Sequence, residues 1–397
     1  MARILYVWEL GGGLGHLTTG LPLAQTYRKL GHEVGFVVKH IASADTVVNG
    51  QFNIYQAPRW TGPPAPEGFK PVSFAEILLQ LGFADARALG SMVRAWLHLF
   101  DLVAPDLLML DFSPTAMLAA RIAGIRHCSI GHGFFSPPRL TPVPGFVAST
   151  DSHRLQHSEQ AVLRSINQVR VQFGQSRLHC FADFLEVDLD LLTTWPEIEH
   201  YPQRTGTPYW GPILMRGQWK APEWPQSEAP KVFAYLNGQY AALPAVLDQL
   251  AESQASVLVY APGASAEEIE RHRRPHMKFL SEPCAMSLAA QQASAVVCHA
   301  NFGTVWESLL AGTPLLCLPM HREQTLVALR LASLGAAPKP LLSALPGTVG
   351  RDLTALIQQS SYRRAAQSVA VRYQDHEVDT HLQRIALASL TASAVAP

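Results

Sequence analysis

Cysteine is sparse in this sequence of 397 residues. Its five thiols (Cys128, Cys180, Cys284, Cys298 and Cys317) are odd in number, scattered, and never form a C-x-x-C pair. That excludes a secreted disulfide scaffold and leaves reduced thiols in a cytoplasmic protein as the simplest account. Charge is also scarce, at 16% Asp, Glu, Lys and Arg against about 25% in an ordinary soluble domain. The 31 basic residues balance the 31 acidic ones, so no electrostatic footprint marks nucleic acid or an anionic membrane as a main partner. No run of about 18 apolar residues is free of charge or histidine, so no transmembrane segment is expected. The stretch Met1–Trp8, followed by Glu9, lacks the length and cleavage site of a signal peptide. What is present is 48% apolar residues, enough to bury large cores, in a length that suggests two or three domains.

Short apolar runs alternate with helical patterns. Arg3–Trp8 reads as a buried strand, Gly11–Gly15 as a glycine loop, Leu17–Leu30 as a helix closed by Gly31, and Glu33–Val38 as the next strand. A strand–loop–helix–strand unit of this kind implies a parallel sheet. The pattern recurs with Leu107–Leu110, a helix over Ser113–Ile122 and a strand over Arg126–Ile130. It starts afresh at Val232–Leu236, Ser256–Tyr260, Met277–Leu280, Ala295–Cys298 and Pro314–Leu318. Between the halves, residues 206–230 carry Pro208, Pro212, Pro222, Pro225 and Pro230, a density that ends helices and central strands. A second proline-rich stretch, Pro58–Pro71, reads as a long loop, and Asp352–Leu390 as a helical tail. The expected architecture is α/β: an N-terminal domain over 1–205, a linker over 206–230, and a C-terminal domain over 231–397 whose last helices pack back. Two doubly wound, Rossmann-like domains would face a central cleft, where open parallel sheets bind ligands at the carboxyl ends of their strands.

The loop Trp8–Glu9–Leu10–Gly11–Gly12–Gly13–Leu14–Gly15–His16 follows a strand and opens a helix. His16 occupies the third glycine position of a dinucleotide fingerprint, and Val37–Val38–Lys39 supplies no ribose-binding acid, which disfavours a nicotinamide cofactor. An imidazole at the mouth of the sheet can instead take a proton from an incoming hydroxyl, or it can simply cap the helix. Asp111 ends a strand on the same rim. It would either orient that imidazole or serve as an N-cap before Ser113 and Pro114. His132, in Gly131–His132–Gly133, reads as a loop or substrate contact. In the second half, Val297–Cys298–His299–Ala300–Asn301–Phe302–Gly303–Thr304–Val305–Trp306–Glu307 is a strand turning into a helix. The first N–H groups of that helix, at Phe302, Gly303 and Thr304, suit a phosphate, and His299 can donate to the same group. Glu307 is placed either to accept from ribose hydroxyls or to favour the start of the helix. Glu323 and Gln324 suit sugar hydroxyls.

Taken together, HANFGTVWESLLAGTP (residues 299–314) and PMHREQ (residues 319–324) resemble the donor-binding signature of family 1 (UDP-glycosyltransferase-like) glycosyltransferases of bacterial type. The glycine loop with His16 and the later Leu30–Gly31–His32–Glu33–Val34 resemble the same family. The resemblance implies the GT-B fold and a sugar transferred with inversion, independently of metal and of any cofactor, from a UDP- or dTDP-sugar as co-substrate. It implies His16 as general base and Asp111 as its partner. It implies a donor site of Gly13, Gly15, Asn237, Gly238, Pro283, His299, Asn301, Phe302, Gly303, Thr304, Glu307, Glu323 and Gln324. The sequence departs from the family at Ala300–Asn301, where Gly-Gly is usual, at Glu323, where Asp is usual, and at Cys284, where Gln is common. Aromatic residues in the first half, Trp60, Phe83, Phe134 and Phe135, with His132, would line the site of an apolar, aromatic or lipid acceptor or else form core beneath loops. A nucleotide-sugar epimerase and a non-catalytic sugar-nucleotide-binding protein are the alternative readings, and the helical tail fits a monomer or a homodimer.

Overall fold

The computed structural model describes the whole chain except Leu14, Pro64, Ala65, Glu67, Ala148, Met215, Arg216, Gln218 and residues 343–346 and 393–397. Parts of the glycine loop, of the Pro58–Pro71 loop and of the 206–230 linker therefore lie outside the described residues. The chain forms two compact units, Met1–Met215 with Glu377–Pro397, and Arg216–His376.

The first unit is built on a six-stranded sheet of β1 (Arg3–Trp8), β2 (Glu33–Val38), β3 (Asn53–Gln56), β4 (Leu107–Asp111), β5 (His127–Gly131) and β6 (Leu189–Leu192). The order is β3-β2-β1-β4-β5-β6 and every pair is parallel, so the order reverses between β1 and β4. Alternation along β1 sends Leu5 and Val7 to one face, beneath helices Ala86–Val103, Pro114–Ala123 and Ser152–Gln172. It sends Ile4, Tyr6 and Trp8 to the other, beneath helices Gly15–Lys29 and Val378–Thr391. The helix Val378–Thr391, expected from the sequence to pack back, lies in the core of the first unit. Arg126 donates to the carbonyls of Ser389, Leu390 and Ala392 at its end, and Tyr27 meets the Ser389 hydroxyl at 2.5 Å.

The second unit holds β7 (Lys231–Tyr235), β8 (Ser256–Tyr260), β9 (Met277–Leu280), β10 (Ala295–Cys298) and β11 (Leu315–Cys317). They form a parallel sheet in the order β11-β10-β7-β8-β9. Its reversal lies between β7 and β10, which places the Asn237 and His299 loops side by side. All five cysteines are free thiols. Among the described residues, no helix is long and apolar enough to cross a membrane.

Candidate active site

Trp8 and Asp111 are register partners at the ends of β1 and β4. Asp111 lies on the same face of the sheet as Tyr6 and Trp8, the face covered by the helix that His16 opens. His16 Nδ1 lies 2.8 Å from Asp111 Oδ1, and both side chains are buried. With the carboxylate accepting from Nδ1–H, Nε2 carries the lone pair, the tautomer a general base needs. The imidazole is sandwiched between the Trp8 ring (centroids 5.2 Å apart, planes at 19°) and Phe135 at 5.1 Å. Phe135 in turn stacks on Phe112 at 4.4 Å.

The second Asp111 oxygen accepts from the Tyr6 hydroxyl at 2.7 Å. Burial, and then the neighbouring carboxylate, push the Tyr6 phenol well above its ordinary range, so it stays a donor. Nothing in the sequence marked Tyr6 beyond its place in an apolar run. Its alternation with Trp8, two residues short of the loop, was the available signal. Gly11 matters for a different reason. Its φ of +84° suits glycine, and a methyl there would lie 2.5 Å from His16 Nε2. The base nitrogen is open on that side because position 11 has no side chain. Gly13 shares the positive φ, at +74°, and Gly15 begins the His16 helix.

The expected acceptor residues separate. Phe135 touches His16, and His132 packs on Phe135 at 4.2 Å. Phe134 is buried and stacked on Phe146, while Trp60 is half-buried against the core. Phe83 is fully buried against Phe184. It is core, not acceptor lining, because the turn that carries it folds inward onto helix Ala86–Val103. A small cavity lies under the Phe112–Phe135 stack, walled by Phe74, Met117, Leu185 and Val187, with the Ser129 and Ser136 hydroxyls at its edge.

In the second unit, the helix Phe302–Leu310 starts after Asn301, whose side chain does not cap it. Asn301 Oδ1 is drawn instead to Gln324 Nε2, 2.6 Å away, and Gln324 Oε1 accepts from Met320 N at 2.8 Å. Gln324 is buried and braces two loops together. His299 departs from expectation. Its Nδ1 donates to Leu318 O at 2.7 Å and its Nε2 accepts from Asn237 N at 2.8 Å. Both nitrogens are engaged within the protein, so His299 holds the Asn237 loop and does not donate to a phosphate. Burial lowers its pKa and keeps it neutral for that role. Gly238 spends its N–H on Pro262 O and packs so tightly on Gly263–Ala264 that a methyl would lie 1.9 Å from Ala264 N. It shapes the loop in place of contacting the diphosphate.

Gly303 is exposed and Thr304 buried in the first turn of the helix. Phe302, Glu307 and Glu323 are half-buried, and Pro283 stands exposed on the turn after β9. Ala300, in place of the usual glycine, is held at φ +64°, a left-handed conformation that costs a residue with a Cβ about 1 kcal/mol or more.

Comparison with known proteins bears on the fold and on the class of activity. Residues 242–383 match the glycosyltransferase family 28 C-terminal domain. Over 389 residues the chain is 27% identical to a PGL/p-HBAD biosynthesis rhamnosyltransferase of Mycobacterium bovis, covering 93% of this chain and 83% of that protein. Among solved structures, the spinosyn rhamnosyltransferase SpnG superposes with a TM-score of 0.72 at 15% identity, over 98% of this chain and 100% of its own. SpnG has also been solved with spinosyn aglycone and with thymidine diphosphate. The calicheamicin glycosyltransferase CalG4 superposes with a TM-score of 0.73 at 18% identity, over 99% of both chains. By these likenesses the chain is a glycosyltransferase of the GT-B fold, and the stretch similar to the family 28 C-terminal domain takes in most of its second unit.

Proposed function

We propose that this glycosyltransferase moves a sugar from a UDP- or dTDP-linked donor to a hydroxyl of an apolar or aromatic acceptor, with inversion and without a metal ion or other cofactor. The buried His16–Asp111 pair carries the reading. Asp111 fixes the Nδ1–H tautomer, and His16 Nε2 takes the acceptor proton as the acceptor oxygen attacks the anomeric carbon. The bond from that carbon to the diphosphate breaks on the opposite face, and Asp111 stabilises the imidazolium that forms. The first N–H groups of helix Phe302–Leu310, left uncapped by Asn301, receive the charge that develops on the leaving diphosphate. Glu307 holds the ribose, and Glu323 faces the sugar. The aromatic surroundings of His16 support an apolar acceptor. The rhamnosyltransferases among the relatives support a rhamnose-type sugar.

The test is a panel of nucleotide sugars offered to wild type and His16→Ala, following nucleoside diphosphate release with and without a mixed acceptor library. Acceptor-dependent release from one donor, lost in His16→Ala, is expected. Equal donor binding with no release by either protein would overturn the catalytic reading and leave a sugar-nucleotide binder.

A further inference from the structure

We propose that Glu9 is a positioning residue for the transfer reaction: its side chain latches the loop that delivers His16 to the turn that delivers Asp111, and so sets the geometry of the pair. The inference rests on the proposed role of that pair. The sheet itself aligns β1 and β4 only as far as Trp8 and Asp111. Beyond them the two chains diverge, one into the glycine loop and one into the helix Pro114–Ala123. What joins them past that point is a short set of bonds. Leu10 N donates to Phe112 O at 3.1 Å, and Glu9 N donates to the Ser113 hydroxyl at 3.0 Å.

The Glu9 carboxylate makes the rest. One oxygen accepts from the Thr115 hydroxyl at 2.7 Å, and the other from Thr115 N at 3.0 Å and Ala116 N at 3.4 Å. These are first-turn donors of the helix Pro114–Ala123. Its own N-cap, Ser113, does not serve them, because that hydroxyl points to the Val7 and Asp111 carbonyls. Glu9, more than a hundred residues earlier in the chain, is therefore the cap of this helix.

The latch bears directly on Asp111. Phe112, between Asp111 and Ser113, sits at φ +48°, a conformation a bulky residue keeps only when its surroundings enforce it. The bonds of Glu9 land immediately beyond it. On the other strand, Glu9 is the first residue of the loop that ends at His16. One buried side chain thus ties together both supports of the pair, through the N–H groups of Thr115 and Ala116 and the Thr115 hydroxyl.

The decisive measurement combines kinetics with the His16 Nδ1–H resonance in ligand-free, nitrogen-15 histidine-labelled protein. Glu9→Gln is expected to lower kcat about tenfold or more, to leave KM for the nucleotide sugar unchanged, and to shift or broaden the resonance. Glu9→Asp keeps the carboxyl with a shorter reach, and should give intermediate values of both should Glu9→Gln fold poorly. An unmoved resonance, with kcat within about twofold of wild type and only a changed melting temperature, would overturn the proposal and leave Glu9 a helix cap. His16→Ala separates this outcome from failure of the functional reading. If transfer survives His16→Ala, the base assignment falls, and the resonance alone then judges Glu9.

Discussion

A single hydrogen at Gly11 keeps His16 Nε2 accessible, and a methyl group there would stand 2.5 Å from that nitrogen. Gly11→Ala should therefore abolish transfer in the steady-state assay while donor binding, by calorimetry, persists. Tyr6→Phe removes the hydroxyl 2.7 Å from Asp111 without disturbing the ring, which packs on Gly20. It should reduce kcat about tenfold with little change in melting temperature. Ala300→Gly should act the other way, raising stability by up to about 1 kcal/mol as the strain at φ +64° is released, readable as a higher urea midpoint. At this scale the sequence was legible where a residue type has few uses: histidine after a glycine loop, aspartate at a strand end. It was illegible where the partner was the protein itself. His299 has the right type for a donor site, yet both its ring nitrogens are engaged, by Asn237 N and Leu318 O. Phe83 has the right type for an apolar pocket, but it packs fully buried in the core.

Strands were readable from sequence wherever burial on both faces makes a continuous apolar run, as in β1, β2, β8 and β10. The edge strands β3, with the sequence NIYQ, and β6, LDLL, carry polar residues in short segments at the sheet margins and left no such trace. Helices Ala86–Val103 and Ser152–Gln172 lie in stretches to which no element was assigned from the sequence, and they supply much of one core face of the first unit. The terminal helix Val378–Thr391 is held at its end by Arg126, whose guanidinium donates to three of its last carbonyls. Arg126→Met should loosen this element specifically. Amide hydrogen exchange should accelerate over residues 378–391 and across the facing residues of helix Gly15–Lys29, while residues 216–376 remain as protected as in wild type.

For the molecule as a whole, two buried carboxyls set a pH dependence of stability. Burial pushes both Glu9 and Glu159 up to about 7, against the hydrogen bonds that Thr115 and Ala116 give the first and Val143 the second. A carboxyl with a raised pKa in the native state holds its proton where the unfolded chain has lost it. Its contribution is therefore complete below the unfolded pKa and is lost as pH rises through about 7. Urea midpoints should fall between roughly pH 5 and pH 8, and Glu9→Gln should flatten part of that fall. The order of the chain has another consequence, for synthesis. The helix Val378–Thr391 completes a core begun by Ile4, Tyr6 and Trp8, yet all of residues 216–376 must be synthesised before it is made. The first unit therefore waits on the second during translation, with the Tyr6 side of its sheet incompletely covered. Nascent chains paused before residue 377 should be the species that chaperones recognise.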